Sequence, residues 1–297
     1  MTTLHFKNFI CLKDAWLTKK DFTLLIGPQA SGKSIIAKSE YLFRSFPKLL
    51  RQTLMKDEGK RAFDVEYVRL FKAIFPEYSW SGKSFHVCYE TEHGEICFDG
   101  YPKSRTSPVR ISYSDYYVKL LRKGMHISRK VHEKIEIDIE NKTTRMIPRN
   151  PEFHYEYRLS NELRKLDYGY TQPMETPVFI PSGRSFFSSL ETNVFAFLAN
   201  NISIDHFMKE FGNIYGTAKS FLDYMRREGD AKDKVRVDLD QVQKVIRGEY
   251  QFERRLGKEW IHSPDGRRTE VAHSSSGQQE SLPMLLVLAA LPHFHDY

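Results

Sequence analysis

Cysteine is scarce in this chain. Its 297 residues include three, Cys11, Cys88 and Cys97, too few and too scattered for a disulfide framework or a zinc site. Cys88 and Cys97 fall where one hairpin would bring them near each other, but reduced thiols are the expectation for a protein of the cytosol. Long apolar runs are missing as well. The longest, Leu282 to Leu291, contains Pro283 and has about half the length of a membrane span. Met1 to Trp16 lacks the basic start and apolar core of a secretory signal. There is no internal repeat and no low-complexity segment. These absences lead to the expectation of a cytoplasmic protein that does not enter a membrane.

What is present fits a globular chain. Hydrophobic residues make up 40% and charged residues 28%, with a mean hydropathy of −0.52. That is enough apolar material for a core, and the length suits one large or two modest domains. The net charge is +7 and the pI about 9.1. A basic balance favours an acidic partner such as nucleic acid. It equally fits a solvated basic surface with a site for polyphosphate. Residues 101–170 carry 15 Lys/Arg against 9 Asp/Glu, so the excess in this stretch matches most of the net charge.

The pattern reads first as strands, at Leu4-His5-Phe6 and Phe9-Ile10. Phe22-Thr23-Leu24-Leu25-Ile26 is a near-continuous apolar run and predicts a strand buried on both faces. A helix follows from Ser34 to Phe46 and ends at Pro47. Residues 48–75 read as helical. Phe85 to Phe98 alternates and turns at His93-Gly94, a hairpin pattern. Lys130 to Ile139 also alternates and predicts a strand with one solvated face. Pro173 and Pro177 mark a boundary, after which Val178-Phe179-Ile180 predicts a short buried strand. Helices are expected over 186–199, 204–227 and 238–247, then two or three short strands, then an apolar helix over 282–291. The organisation expected is a discontinuous core of residues 1–60 and 175–297, interrupted by an α+β lobe over 61–174.

Two motifs carry chemistry. Gly27-Pro28-Gln29-Ala30-Ser31-Gly32-Lys33-Ser34 matches the Walker A pattern, Gly-x₄-Gly-Lys-Ser. Its glycines permit backbone angles that turn successive N–H groups towards phosphate oxygens. The helix opening at Lys33 directs its positive end at the same anion. Lys33 supplies a point charge for the β- and γ-phosphates, and the Ser34 hydroxyl is the expected Mg²⁺ ligand. The expected cofactors are ATP and Mg²⁺. The second motif is Ser274-Ser275-Ser276-Gly277-Gln278. A hydroxyl beside a glycine at a helix N-terminus makes a second phosphate site. The plainer alternative is a serine N-cap.

Together these motifs resemble the ABC-type ATPases, whose signature is Leu-Ser-Gly-Gly-Gln. Ser275, Gly277 and Gln278 match it, while Ser274 replaces Leu and Ser276 replaces the first Gly. The likeness is nearest to the SMC/RecF/OLD-like branch, bacterial AAA-family ATPases of phage-defence or DNA-repair settings. It rests further on Lys7-Asn8-Phe9, Leu25-Ile26-Gly27-Pro28 and the segment from Val178 to Ser185, and covers residues 1–45 and 175–291. The resemblance implies a P-loop α/β fold with a mixed sheet. It implies a dimer around ATP, with Ser275, Ser276, Gly277 and Gln278 of one subunit reaching the γ-phosphate held by the other. It also implies action on DNA or on an effector such as a nuclease. Arg184 is then a candidate for the nucleotide or dimer face, or else an ordinary surface arginine.

One part of the pattern is absent. The family carries a Walker B strand ending in Asp and a catalytic Glu about two dozen residues after the signature. Here 19 residues follow Gln278, and none form an apolar strand. Val235 to Asp240 reads as a helix start, and His293 and His295 do not stand where the family's switch histidine would. The expectations are three: a chain cut short of its natural end, a strand supplied by another polypeptide, or a module that assembles around ATP without hydrolysing it.

Overall fold

The computed structural model describes residues 2–102, 108–140, 151–163, 177–188, 204–228 and 232–296. The chain divides into two compact units, Met1–Pro177 and Val178–Tyr297. The boundary lies at the prolines that mark it in the sequence.

The first unit is built on an antiparallel five-stranded sheet. Strands β1 (Thr2–Phe9), β2 (Leu12–Lys19), β3 (Phe85–Thr91), β4 (Gly94–Gly100) and β5 (Val109–Tyr113) lie in the order β2-β1-β3-β4-β5. Alternation along each strand sorts the faces. Leu4 and Phe6, Val87 and Tyr89, and Ile96 and Phe98 are buried. Helices α1 (Lys33–Arg44), α2 (Phe46–Met55) and α3 (Lys60–Ile74) follow the first hairpin. The helices meet the sheet through rings: Phe43 stacks on Tyr89 at 5.2 Å and Phe71 on Phe98 at 4.9 Å. Such aromatic pairs contribute roughly 0.5–1.5 kcal/mol each beyond the area they bury. Helices α4 (Asp115–Glu140) and α5 (Pro151–Leu163) complete the unit. Ser128 of α4 and Tyr155 of α5 both donate to the Leu54 carbonyl, at 2.7 and 2.9 Å, which ties both helices to the end of α2.

The second unit packs α6 (His206–Glu228), α7 (Lys232–Ile246) and α8 (Ser276–Ala290) beside the antiparallel strands β6 (Glu249–Glu253), β7 (Lys258–His262) and β8 (Arg268–Glu270). Its core includes Phe211, Tyr215, Leu222, Val242, Ile246, Leu282 and Leu286. The buried Glu259 is fully partnered. It accepts from Tyr215 and Tyr250 hydroxyls at 2.5 and 3.0 Å and pairs with Lys219 at 2.7 Å. A buried carboxylate persists only with such compensation.

Several expectations are corrected. Every strand pairing among the described residues is antiparallel, so the chain is of mixed α/β composition but the expected mixed sheet is not seen among them. Phe22 to Ile26 has no regular secondary structure and joins no sheet, and Phe22 and Ile26 are 84% and 85% exposed. An apolar run becomes a strand only where it pairs with a neighbour, and none of the ladders includes these residues. Val178 to Ile180 is likewise without regular secondary structure or a ladder and only half-buried. Lys130 to Ile139 lies inside α4. Its alternation is local, whereas Tyr117, Leu120, Leu121, Ser128 and Val131 are buried at helical spacing over the longer window. Finally, β3, β4 and β5 fall within the span expected as an inserted lobe, yet they extend the sheet that β1 and β2 begin. Most of the expected helix over 186–199 lies outside the described residues.

Candidate nucleotide-binding loop

The loop from Gly27 to Ser34 sits between the apolar run Phe22–Ile26 and the start of α1. Ala30 (φ 62°) and Gly32 (φ 94°) take left-handed backbone angles, which curl the chain tightly before the helix begins. Gly32 is required twice over. Its angle resists any side chain, and a Cβ there would come within 2.6 Å of Leu12 Cδ2. The β2 strand that carries Leu12 therefore fixes how closely the loop can approach the sheet.

Lys33 folds back across the loop. Its ammonium donates to the Gly27 carbonyl at 2.8 Å, the Pro28 carbonyl at 2.5 Å and the Ser31 hydroxyl at 3.3 Å. The positive charge thus stands at the mouth of the loop. The N-terminus of α1 adds to it. The Gly32 cap has no side chain to satisfy the first N–H groups, and the first turn holds no acidic residue. Those N–H groups and the helix dipole favour an external anion. Ser34, one residue inside the helix, is exposed. A triphosphate fits this donor set. The curled backbone, the uncapped helix end and the Lys33 ammonium lie within one eight-residue loop, and Ser34 is exposed beside them.

The second motif has a different construction. Ser275 is the N-cap of α8 and forms a capping box with Gln278. The Ser275 hydroxyl accepts from the Gln278 N–H at 3.4 Å, and the Gln278 side-chain oxygen accepts from the Ser275 N–H at 3.2 Å. The amide end of Gln278 donates to the Ile246 carbonyl at 2.8 Å, which anchors the cap to the end of α7. The plain N-cap reading therefore describes the local geometry. Ser275, Ser276 and Gly277 are exposed. Nothing lies within 4 Å of a Cβ built on Gly277, so no neighbour in its own unit requires a glycine there.

Arg184 is engaged within the second unit. Its Nε donates to the Glu280 carbonyl at 2.8 Å and its Nη1 to the Pro181 carbonyl at 2.7 Å. The Glu280 carboxylate accepts from the Ser185 hydroxyl at 2.7 Å and from the Ser185 and Arg184 N–H groups at 3.1 and 3.0 Å. The Ser185 hydroxyl, followed by these N–H groups and the guanidinium, holds the Glu280 carboxyl below its usual range, against a smaller opposing effect of burial. Arg184 thus ties the segment 181–185 to Glu280 of α8, just past the turn that carries Ser275 to Gln278. Sequence reasoning singled out Arg184 but missed Glu280, whose signal was only its place two residues after Gln278.

Asp238 lies in α7 and pairs with His293 at 2.7 Å. This accords with reading Val235 to Asp240 as helix, and it gives His293 a structural partner. No helix among the described residues is long and apolar enough to cross a membrane. Compared with models of known protein families and with curated proteins, the chain matches none.

Proposed function

We propose that this chain binds ATP with Mg²⁺ at Gly27–Ser34 and that two copies close around the nucleotide, each offering Ser275, Ser276 and Gly277 to the phosphate held by the other. The observation that carries the first half is the convergence of the Lys33 ammonium, the left-handed Gly32 and the uncapped end of α1. The backbone N–H groups of the loop would surround the β-phosphate, Lys33 would shift from the loop carbonyls to phosphate oxygens, and the Ser34 hydroxyl would hold the metal. Mg²⁺, when bound, neutralises phosphate charge and fixes the orientation of the β- and γ-oxygens. The second half is supported by the exposure of Ser275 to Gly277 and by the absence of any local need for glycine at Gly277.

Such a dimer would couple nucleotide binding to the opening and closing of a device that acts on DNA or on a partner effector, because a ligand shared by two subunits favours the closed arrangement by its differential affinity. Sedimentation of the full chain with and without ATP·Mg²⁺ tests the pairing. ATP-dependent dimers that disappear in Ser275→Arg are expected; equal association without nucleotide would count against the sandwich.

A second reading, a module that assembles around ATP without hydrolysing it, draws on one observation. Asp238, which follows the short apolar alternation at Val235 and Val237, is helical and bound to His293. Multiple-turnover phosphate release separates the two. Turnover by this chain alone sinks the non-hydrolysing reading.

A further inference from the structure

The sheet of the first unit has a second face that the phosphate loop does not use. Its residues align across strands by register. His5 pairs with Trp16 and with Cys88, Cys88 with Cys97, and His86 with Asp99. Cys88 and Cys97 are directly opposite, with Cα atoms 4.1 Å apart, and their sulfurs are joined in a disulfide. His86 precedes Cys88 by two residues and so shares its face. One ring nitrogen of His86 and both sulfurs lie within 4.8 Å of one another.

The surroundings are those of a metal-ligating histidine. The Nδ1 of His86 sits 2.7 Å from Asp99, which commits that nitrogen to a carboxylate and leaves Nε2 as the lone-pair donor. His5 is held in the same manner, with Nε2 3.3 Å from Asp14 and its ring stacked on Trp16 at 3.5 Å. Its ring meets that of His86 edge-on at 5.7 Å. Glu95 adds a carboxylate oxygen 3.7 Å from the Cys88 sulfur. Lys7 lies opposite His86 and Asp14, and Arg110 opposite Asp99; two thiolates added to Asp14, Glu95 and Asp99 still leave this face net negative, and a dication offsets it. Thiolate and imidazole donors select zinc among the common divalent ions.

The geometry points to a redox-gated Zn²⁺ site: in the dithiol state Cys88, Cys97 and His86 bind the ion, with Glu95 and His5 as further donors beside them, and the disulfide is the closed, metal-free alternative. The opening step is thiol–disulfide exchange. Two molecules of a small thiol of the glutathione class leave as one disulfide, the Cys88–Cys97 bond breaks, and both protein sulfurs gain a proton. Zn²⁺ then displaces the two thiol protons to solvent and forms two Zn–S bonds, while neutral His86 donates a lone pair and keeps its own proton. This site is independent of nucleotide.

The test uses the full chain carrying Cys11→Ser, which removes the exposed free thiol. The protein is reduced with excess thiol, freed of reductant without oxygen, and titrated with Co²⁺ and then Zn²⁺. Expected are a single equivalent of Co²⁺ with a thiolate-to-cobalt charge-transfer band, its displacement by Zn²⁺, and no binding to the oxidised protein. His86→Gln should lose the band. Asp99→Asn, a conservative change at a half-buried side chain, should weaken Zn²⁺ by about 10–100-fold while leaving circular dichroism unchanged. A reduced, folded protein without the band, or a band that survives Cys97→Ser unchanged, overturns the site and leaves a plain hairpin disulfide.

Discussion

Two helix N-termini in this protein solve the same problem in opposite ways. At α1 the cap is Gly32, which offers no side chain, and the first turn has no acidic residue. At α8 the cap is Ser275, which closes a reciprocal box with Gln278 and is anchored on the carbonyl of Ile246. Every helix must satisfy its first N–H groups. The α8 terminus does so from within, so its fold is complete without a ligand. The α1 terminus leaves them to an outside anion and adds the Lys33 ammonium beside them. Under the proposed function, that difference makes the first unit the place where nucleotide binds first. Any phosphate role for Ser275 must be secondary, because a γ-oxygen there would share a cap that is already made.

The strongest way to break the comparison is Lys33→Ala. It removes an ionic hydrogen bond to phosphate worth about 1.5–3 kcal/mol, so ATP affinity should fall at least about tenfold; calorimetric titration showing unchanged affinity would overturn the loop as the binding site. Ser275→Ala sharpens it from the other side. Loss of the box should cost about 1 kcal/mol of stability, seen as a lowered Tm. ATP affinity of the lone chain should not move, and ATP-dependent pairing should weaken. A drop in that lone-chain affinity would place both motifs on one site.

Gly277→Ala separates local need from partner need. With open space around its Cβ, alanine should stabilise the unit by up to about 0.5–1 kcal/mol. If thermal stability rises while dimerisation falls, the glycine serves close approach by a second copy; if both rise, it does not.

Glu280→Gln has the smallest effect, and pH reveals it. The carboxyl is held below the usual glutamate range in the folded state, chiefly by the Ser185 hydroxyl. Its stabilising contribution is therefore full above that usual range and is lost as pH falls through the depressed one. The wild type should lose more Tm than Glu280→Gln between about pH 6 and pH 3. The group is partly solvated and its interactions screened, so the gap should be small. Parallel loss in both proteins would show that the Arg184 clamp does not depend on the charge of Glu280.

The loop was legible because its physics is local. Gly27, Gly32, Lys33 and Ser34 lie within eight residues, and the turn, the helix start and the charge all follow from neighbours in sequence. The helices over 33–44 and 206–228 and the hairpin turning at Gly94 were readable for the same reason, since a 3.6 or 2.0 periodicity is visible in a short window. Lys130 to Ile139 misled because its window was too short to show the longer helical period. Phe22 to Ile26 misled because apolarity alone does not provide a sheet edge to join.

The sequence by itself determined the turn from Gly27 to Gly32, the helix that follows it and the boundary near Pro177. It also led to the expectation of reduced thiols, three cysteines being too few and scattered for a disulfide framework or a zinc site. Tertiary structure corrected the thiols, joining Cys88 to Cys97 in a disulfide. It paired β3 with β4 in the one register that sets Cys88 against Cys97, and paired β1, some eighty residues earlier in the chain, so that His5 faces Cys88. A slip of one residue would have sent each of these side chains to the opposite face. That register is fixed by the burial of Leu4, Phe6, Val87, Tyr89, Ile96 and Phe98 on the other side of the sheet. No short window of the sequence contains it.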